Sequence, residues 1–91
     1  MSTTIDLTLY TKPGCHLCEE ALIATNLVVS EIRAKYSKDV QIELKEQNIL
    51  EDEALLATYA EEIPVLQING ETHAYWRIDK ERLKAALENL L

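Results

Sequence analysis

Apolar and polar residues alternate along Ile5-Asp6-Leu7-Thr8-Leu9-Tyr10, a period of two that predicts a strand with Ile5, Leu7 and Leu9 on one face. The alternation stops at Thr11-Lys12-Pro13-Gly14, where Pro and Gly mark a turn. Beyond it the period changes. Leu17, Ala21, Ala24, Val28 and Ile32 fall at helical spacing, with Cys18, Leu22, Thr25 and Val29 on the neighbouring strip, so a long helix is predicted from Cys15 to about residues 34–36.

Val40, Ile42 and Leu44 alternate with Gln41, Glu43 and Lys45, a second strand that can lie parallel to the first and complete a βαβ unit. Asn48 is expected to cap a short helix carrying Ala54, Leu55, Leu56 and Tyr59, with Glu51, Asp52 and Glu53 at the positive end of its dipole. Ile63-Pro64 ends that pattern. Two further strands, 65–68 and 72–76, flank Asn69-Gly70, a strong hairpin signal. Asp79 can cap a last helix whose buried stripe is Leu83, Ala86, Leu87, Leu90 and Leu91. The order is βαβ followed by αββα, without repeats or linkers.

A chain of 91 residues supports one domain, 1–91, with one core. With no Phe and a single Trp, that core must be filled by Leu, Ile, Val and Ala. Sixteen carboxylates against nine Lys and Arg repel nucleic-acid phosphates and anionic headgroups, so neither nucleic acid nor membrane is expected as a partner. Met1-Ser2-Thr3-Thr4-Ile5-Asp6 contains no basic segment followed by an apolar run. A soluble, cytoplasmic monomer is the expectation.

The only two cysteines, Cys15 and Cys18, are too close in sequence for their disulfide to constrain the unfolded chain much. In a reducing compartment such a pair more often does chemistry than holds a fold. Cys15-His16-Leu17-Cys18 lies between a strand and a helix, the context of a redox motif. The amides and dipole at the helix start favour a Cys15 thiolate, which makes Cys15 the nucleophile. Cys18, one turn on and facing inward, suits the resolving thiol. His16 and Lys12 add positive charge near Cys15, while Glu19 and Glu20 oppose it. Two other readings are an inert buried pair and a fragment of a metal site. A closed zinc site wants four ligands, however, and only His16 and His73 remain as nitrogen donors, so no metal or bound cofactor is expected.

The run Leu9-Tyr10-Thr11-Lys12-Pro13-Gly14-Cys15-His16-Leu17-Cys18-Glu19-Glu20-Ala21, followed by Glu62-Ile63-Pro64-Val65-Leu66, resembles the glutaredoxin-like proteins of the thioredoxin superfamily, in particular the small bacterial branch with Cys-His-Leu-Cys. The resemblance implies an α/β minimal thioredoxin fold, βαβαββα, with a four-stranded mixed sheet flanked by helices. It implies a thiol–disulfide oxidoreductase acting through Cys15 and Cys18 on protein disulfides or glutathione mixed disulfides, with glutathione as a co-substrate. It also implies a cis bond before Pro64, lying against the active-site disulfide and leaving backbone groups of Ile63 free for an extended substrate. Lys12 corresponds to a basic position that meets the glutathione carboxylate, and Ile63 to the residue whose backbone pairs with the glutathione cysteine. His16 and Leu17 complete the expected substrate-facing set. The Gly-Gly element that follows the hairpin in that family is replaced here by Ala74-Tyr75-Trp76. Tyr75 and Trp76 are expected to cover the core or pack on the last helix, the other reading being a closed groove or an apolar platform. A non-catalytic thioredoxin-fold interaction module is the second function class, since fold alone does not imply activity.

Overall fold

Ile5, Leu7 and Leu9 of β1 (Thr3–Thr11) are essentially fully buried, and the residues alternating with them face the other way. In the computed structural model, which describes residues 3–36 and 40–91, β1 is followed by α1 (His16–Lys35), β2 (Val40–Asn48) and a 3₁₀ turn (Ile49–Glu51). Then come α2 (Glu53–Tyr59), β3 (Val65–Ile68), β4 (Glu71–Tyr75) and α3 (Lys80–Glu88). The sheet order is β2-β1-β3-β4. β1 pairs parallel with β2 and antiparallel with β3, and β3 pairs antiparallel with β4. This mixed four-stranded sheet with three helices is the minimal thioredoxin architecture.

The pairing register puts Ile5 beside Ile42, Leu7 between Leu44 and Ile68, and Leu9 beside Leu66, so apolar side chains form continuous rows on one face. α1 covers that face with Ala21, Val28, Val29 and Ile32, and α3 adds Leu83 and Leu87. Lys35 Nζ and the Tyr36 hydroxyl both donate to Glu88 Oε2, at 3.0 and 2.9 Å, tying the end of α1 to the end of α3. On the opposite face α2 packs at one end. There Tyr10 and Tyr59 stack with ring centroids 4.8 Å apart, and Gln67 donates to the Tyr59 hydroxyl at 3.1 Å.

The hairpin turn is built as Asn-Gly demands, with φ of 51° at Asn69 and 84° at Gly70. Asn69 also clips β1: Asp6 N–H donates to its Oδ1 at 2.9 Å, and its own N–H donates to the Asp6 carbonyl at 2.7 Å.

Several expectations need correction. Thr11 belongs to β1, and β2 continues past Lys45 to Asn48 because β1 and β2 stay paired to their ends. Asn48 therefore caps the 3₁₀ turn, accepting from Leu50 N–H, while Asp52 caps α2 by accepting from the Ala54 and Leu55 amides. No residue of α2 is fully buried, and Leu56 is exposed. Leu90 and Leu91 lie beyond α3 and are exposed, since the helix ends before they can turn inward. Tyr75 and Trp76 are exposed as well, because the strand ends at Tyr75 and the chain turns away at Trp76. Among the described residues no helix is long and apolar enough to cross a membrane.

Candidate active site

Cys15 is the N-cap of α1. Gly14, with φ of 77°, supplies the left-handed turn that delivers the chain from β1 to this cap, a conformation glycine adopts without a Cβ clash. An N-cap side chain normally accepts a hydrogen bond from an amide of the first turn. Here the acceptor is sulfur: Cys18 N–H donates to Cys15 Sγ at 3.2 Å, and Glu19 N–H reaches the Cys15 carbonyl at 3.2 Å. Cys15 and Cys18 are joined in a disulfide, with Cα atoms 5.2 Å apart. Cys15 is half-buried and Cys18 only 3% exposed, so the outer sulfur is the one a substrate can reach.

The Ile63–Pro64 bond is cis. Ile63 packs with Cys18 and Ile49 in a small apolar cluster that also touches Cys15, Tyr10, Leu55 and Tyr59. The strand order thus brings the start of α1, the end of α2 and the loop before β3 to one end of the sheet. The expectation that Ile63 keeps free backbone groups holds only in part. Its N–H donates to the Tyr59 carbonyl at 3.1 Å, because the last turn of α2 closes over it. Among the described residues its carbonyl accepts no hydrogen bond.

Lys12 lines a cleft of about 640 Å³ beside the disulfide, together with Lys45 on one hand and Glu19, Glu46 and Glu51 on the other. The end of β2 was not expected there. A signal exists in the sequence, since Glu46 follows Val40, Ile42 and Leu44 in their inward register and is a charge where the row is otherwise apolar. Glu46 Oε2 accepts from the buried Thr11 hydroxyl at 3.1 Å, and Thr11 also lines the cleft.

His16 pairs along α1 with Glu20. Its Nε2 lies 3.4 Å from Glu20 Oε1, both side chains being well exposed. Leu17 shares a hollow with Glu20, Trp76 and Arg77, a different one from the cleft that Lys12 lines. Burial, and secondarily the charge of Tyr59, raise the Tyr10 phenol above its ordinary value, so it stays neutral beside the apolar cluster. Among the described residues no group of three or more His, Cys, Asp or Glu is arranged to hold a metal ion.

A family model described as Glutaredoxin-like domain (DUF836) matches residues 6–88. A protein of Mycobacterium tuberculosis, described as uncharacterized, is 28% identical over 78 residues, which cover 85% of this chain and 76% of that protein. The X-ray structure of protein XcR50 from X. campestris is similar at 30% identity and a TM-score of 0.64, covering 91% of this chain and 96% of that one. A malaria-parasite thioredoxin-2, described as a component of protein secretion machinery, has 17% identity and a TM-score of 0.62, covering 98% of this chain and 85% of that one. That last likeness is one of fold alone.

Proposed function

Because the chain belongs to the glutaredoxin-like domain family, we propose that it is a thiol–disulfide oxidoreductase in which Cys15 attacks and Cys18 resolves. The carrying observation is the position of Cys15 as the cap of a twenty-residue helix, with a first-turn amide already donating to its sulfur. Those amides and the helix dipole favour a thiolate over a thiol at this sulfur.

In the reduced dithiol, the Cys15 thiolate attacks one sulfur of a substrate disulfide. The substrate S–S bond breaks, its other sulfur leaves as a thiolate and takes a proton from solvent, and a mixed disulfide forms on Cys15. The Cys18 thiol then loses its proton and attacks Cys15 Sγ. The remaining substrate thiol is released and the Cys15–Cys18 disulfide forms, so two electrons have passed from the protein to the substrate. An external thiol, glutathione being the natural class, returns the dithiol. Lys12 and Lys45 supply positive charge in the adjoining cleft for a substrate carboxylate, and the Ile63 carbonyl is the acceptor left for an extended substrate backbone. Disulfide-containing proteins and glutathione mixed disulfides are the proposed substrates, and a reducing, cytoplasmic setting suits this direction of electron flow.

The test is equilibration of the protein in a series of glutathione redox buffers, with acid quenching and intact-mass readout. Reversible conversion between dithiol and Cys15–Cys18 disulfide is expected, with a glutathione adduct accumulating in Cys18→Ser. Two thiols that stay inert across the series would sink the enzyme reading in favour of a binding module.

A further inference from the structure

Trp76 follows β4 with φ of 62°, in the left-handed region that bulky side chains rarely enter. It is held there by hydrogen bonds. Its N–H donates to the Pro64 carbonyl at 2.8 Å, its indole Nε1–H donates to the Glu61 carbonyl at 3.1 Å, and the next N–H, that of Arg77, donates to the Tyr75 carbonyl at 2.7 Å. The indole is thereby pinned by one edge to the turn that follows α2, while the residue remains 56% exposed beside the exposed Tyr75.

This arrangement disfavours an anion. The two successive amides after β4, those of Trp76 and Arg77, both already donate within the chain, so neither is left to receive a carboxylate. The ring is also the shared wall of two hollows, one containing Leu17 and Glu20, the other Leu56, Glu61 and Glu62. Three glutamates, Glu20, Glu61 and Glu62, line these two hollows against a single cationic residue, Arg77, and Glu20 also faces His16. The whole chain carries a net charge of -7. An aromatic face rimmed by carboxylates attracts a cation both through the ring quadrupole and by Coulomb attraction. The hollow adjoins the redox segment, because Leu17, which lies between Cys15 and Cys18 in sequence, lines it together with Trp76.

We propose that Trp76 is a specificity-determining residue that receives a lysine or arginine flanking the reactive cysteine of a polypeptide substrate. Disulfides in basic segments are then taken ahead of anionic small disulfides. The inference rests on the redox reading above and adds the chemistry of the partner.

Two disulfide-linked peptides identical except for Lys or Glu beside the cysteine test it, with the exchange rate of each protein normalised to a neutral small disulfide. The parent protein is expected to favour the Lys peptide in kcat/KM by about tenfold at low salt, with the preference shrinking as salt screens the charges. Trp76→Gly, which suits the positive φ, and the double change Glu61→Gln with Glu62→Gln should each reduce that preference severalfold. Trp76 is the only tryptophan, so its fluorescence reports binding without turnover. In Cys15→Ser the Lys peptide should shift the emission at lower concentration than the Glu peptide. Equal kcat/KM for both peptides, or a preference unchanged in Trp76→Gly, would overturn the inference and leave the redox reading standing. Discriminating fluorescence with no exchange in the parent protein would keep the Trp76 surface and overturn the redox reading.

Discussion

The amide of Cys18 donates to Cys15 Sγ at 3.2 Å, so the inner cysteine's own backbone helps carry charge on the outer cysteine's sulfur. The two sulfurs differ in exposure as well, Cys15 being half-buried and Cys18 3% exposed. An asymmetric pair is what stepwise exchange requires, since one sulfur must meet substrate and the other must meet only the first.

The asymmetry predicts different reactivities for the two thiols. In Cys18→Ser the remaining Cys15 should react with iodoacetamide at neutral pH about tenfold faster than Cys18 does in Cys15→Ser, since thiolate character and access both favour it. Stopped alkylation with mass readout measures both rates. Equal rates, or a faster Cys18, would reverse the assignment of nucleophile and resolving thiol.

The second prediction concerns α2, which closes over Ile63 without a fully buried residue of its own. Its anchors are the Tyr10–Tyr59 stack, the Gln67 bond to Tyr59, and the Asp52 cap. Asp52→Ala should cost about 1 kcal/mol through the lost cap. Tyr59→Leu should cost about 1–2 kcal/mol through loss of the aromatic pair and the hydroxyl's hydrogen bond. Urea unfolding reads both, and amide exchange should quicken in α2 ahead of α3. Unchanged α2 exchange in Tyr59→Leu would show that the stack does not hold the helix.

The third prediction is a pH dependence at the α1–α3 clasp. The hydrogen bond from Lys35, then that from Tyr36, hold the Glu88 carboxyl below its ordinary value of 4.5. The bond to Glu88, then that with Tyr36, hold the Lys35 ammonium above 10.5. A carboxyl depressed in the folded state contributes stability that is complete above its unfolded pKa and lost as pH falls through the folded one. An ammonium raised in the folded state contributes stability that is complete below its unfolded pKa and lost as pH rises through the folded one. The clasp is therefore whole between 4.5 and 10.5. Glu88→Gln should lower the thermal midpoint slightly at neutral pH, with the gap closing in acid below the carboxyl's titration. A gap that persists unchanged into acid would assign the effect to packing instead.

Much of this molecule was legible in the order of its residues. The period of two in residues 5–10 and the helical spacing from Leu17 onward are local signals, and each element formed where its period placed it. Asn69-Gly70 specified its turn because only a few residue pairs tolerate two consecutive positive φ angles. The position of Cys15 at a helix start was likewise set by Pro13-Gly14 just before it. Element ends were less legible. Asn48 and Asp52 are both good caps, and choosing between them required knowing how far β2 stays paired with β1.

What the sequence determined by itself was thus everything governed by neighbours along the chain: the elements, the hairpin, and a cysteine pair opening a helix. Tertiary structure alone decided which distant residues meet that pair. The order β2-β1-β3-β4 carries Ile63 against Cys18, Glu46 and Lys45 to the cleft beside Lys12, and Tyr59 onto Tyr10. It also decided that Tyr75 and Trp76 face solvent rather than the core. Residue periodicity specifies the face of an element but not its neighbour, and the neighbours follow only once strand order and register bring separate faces into contact.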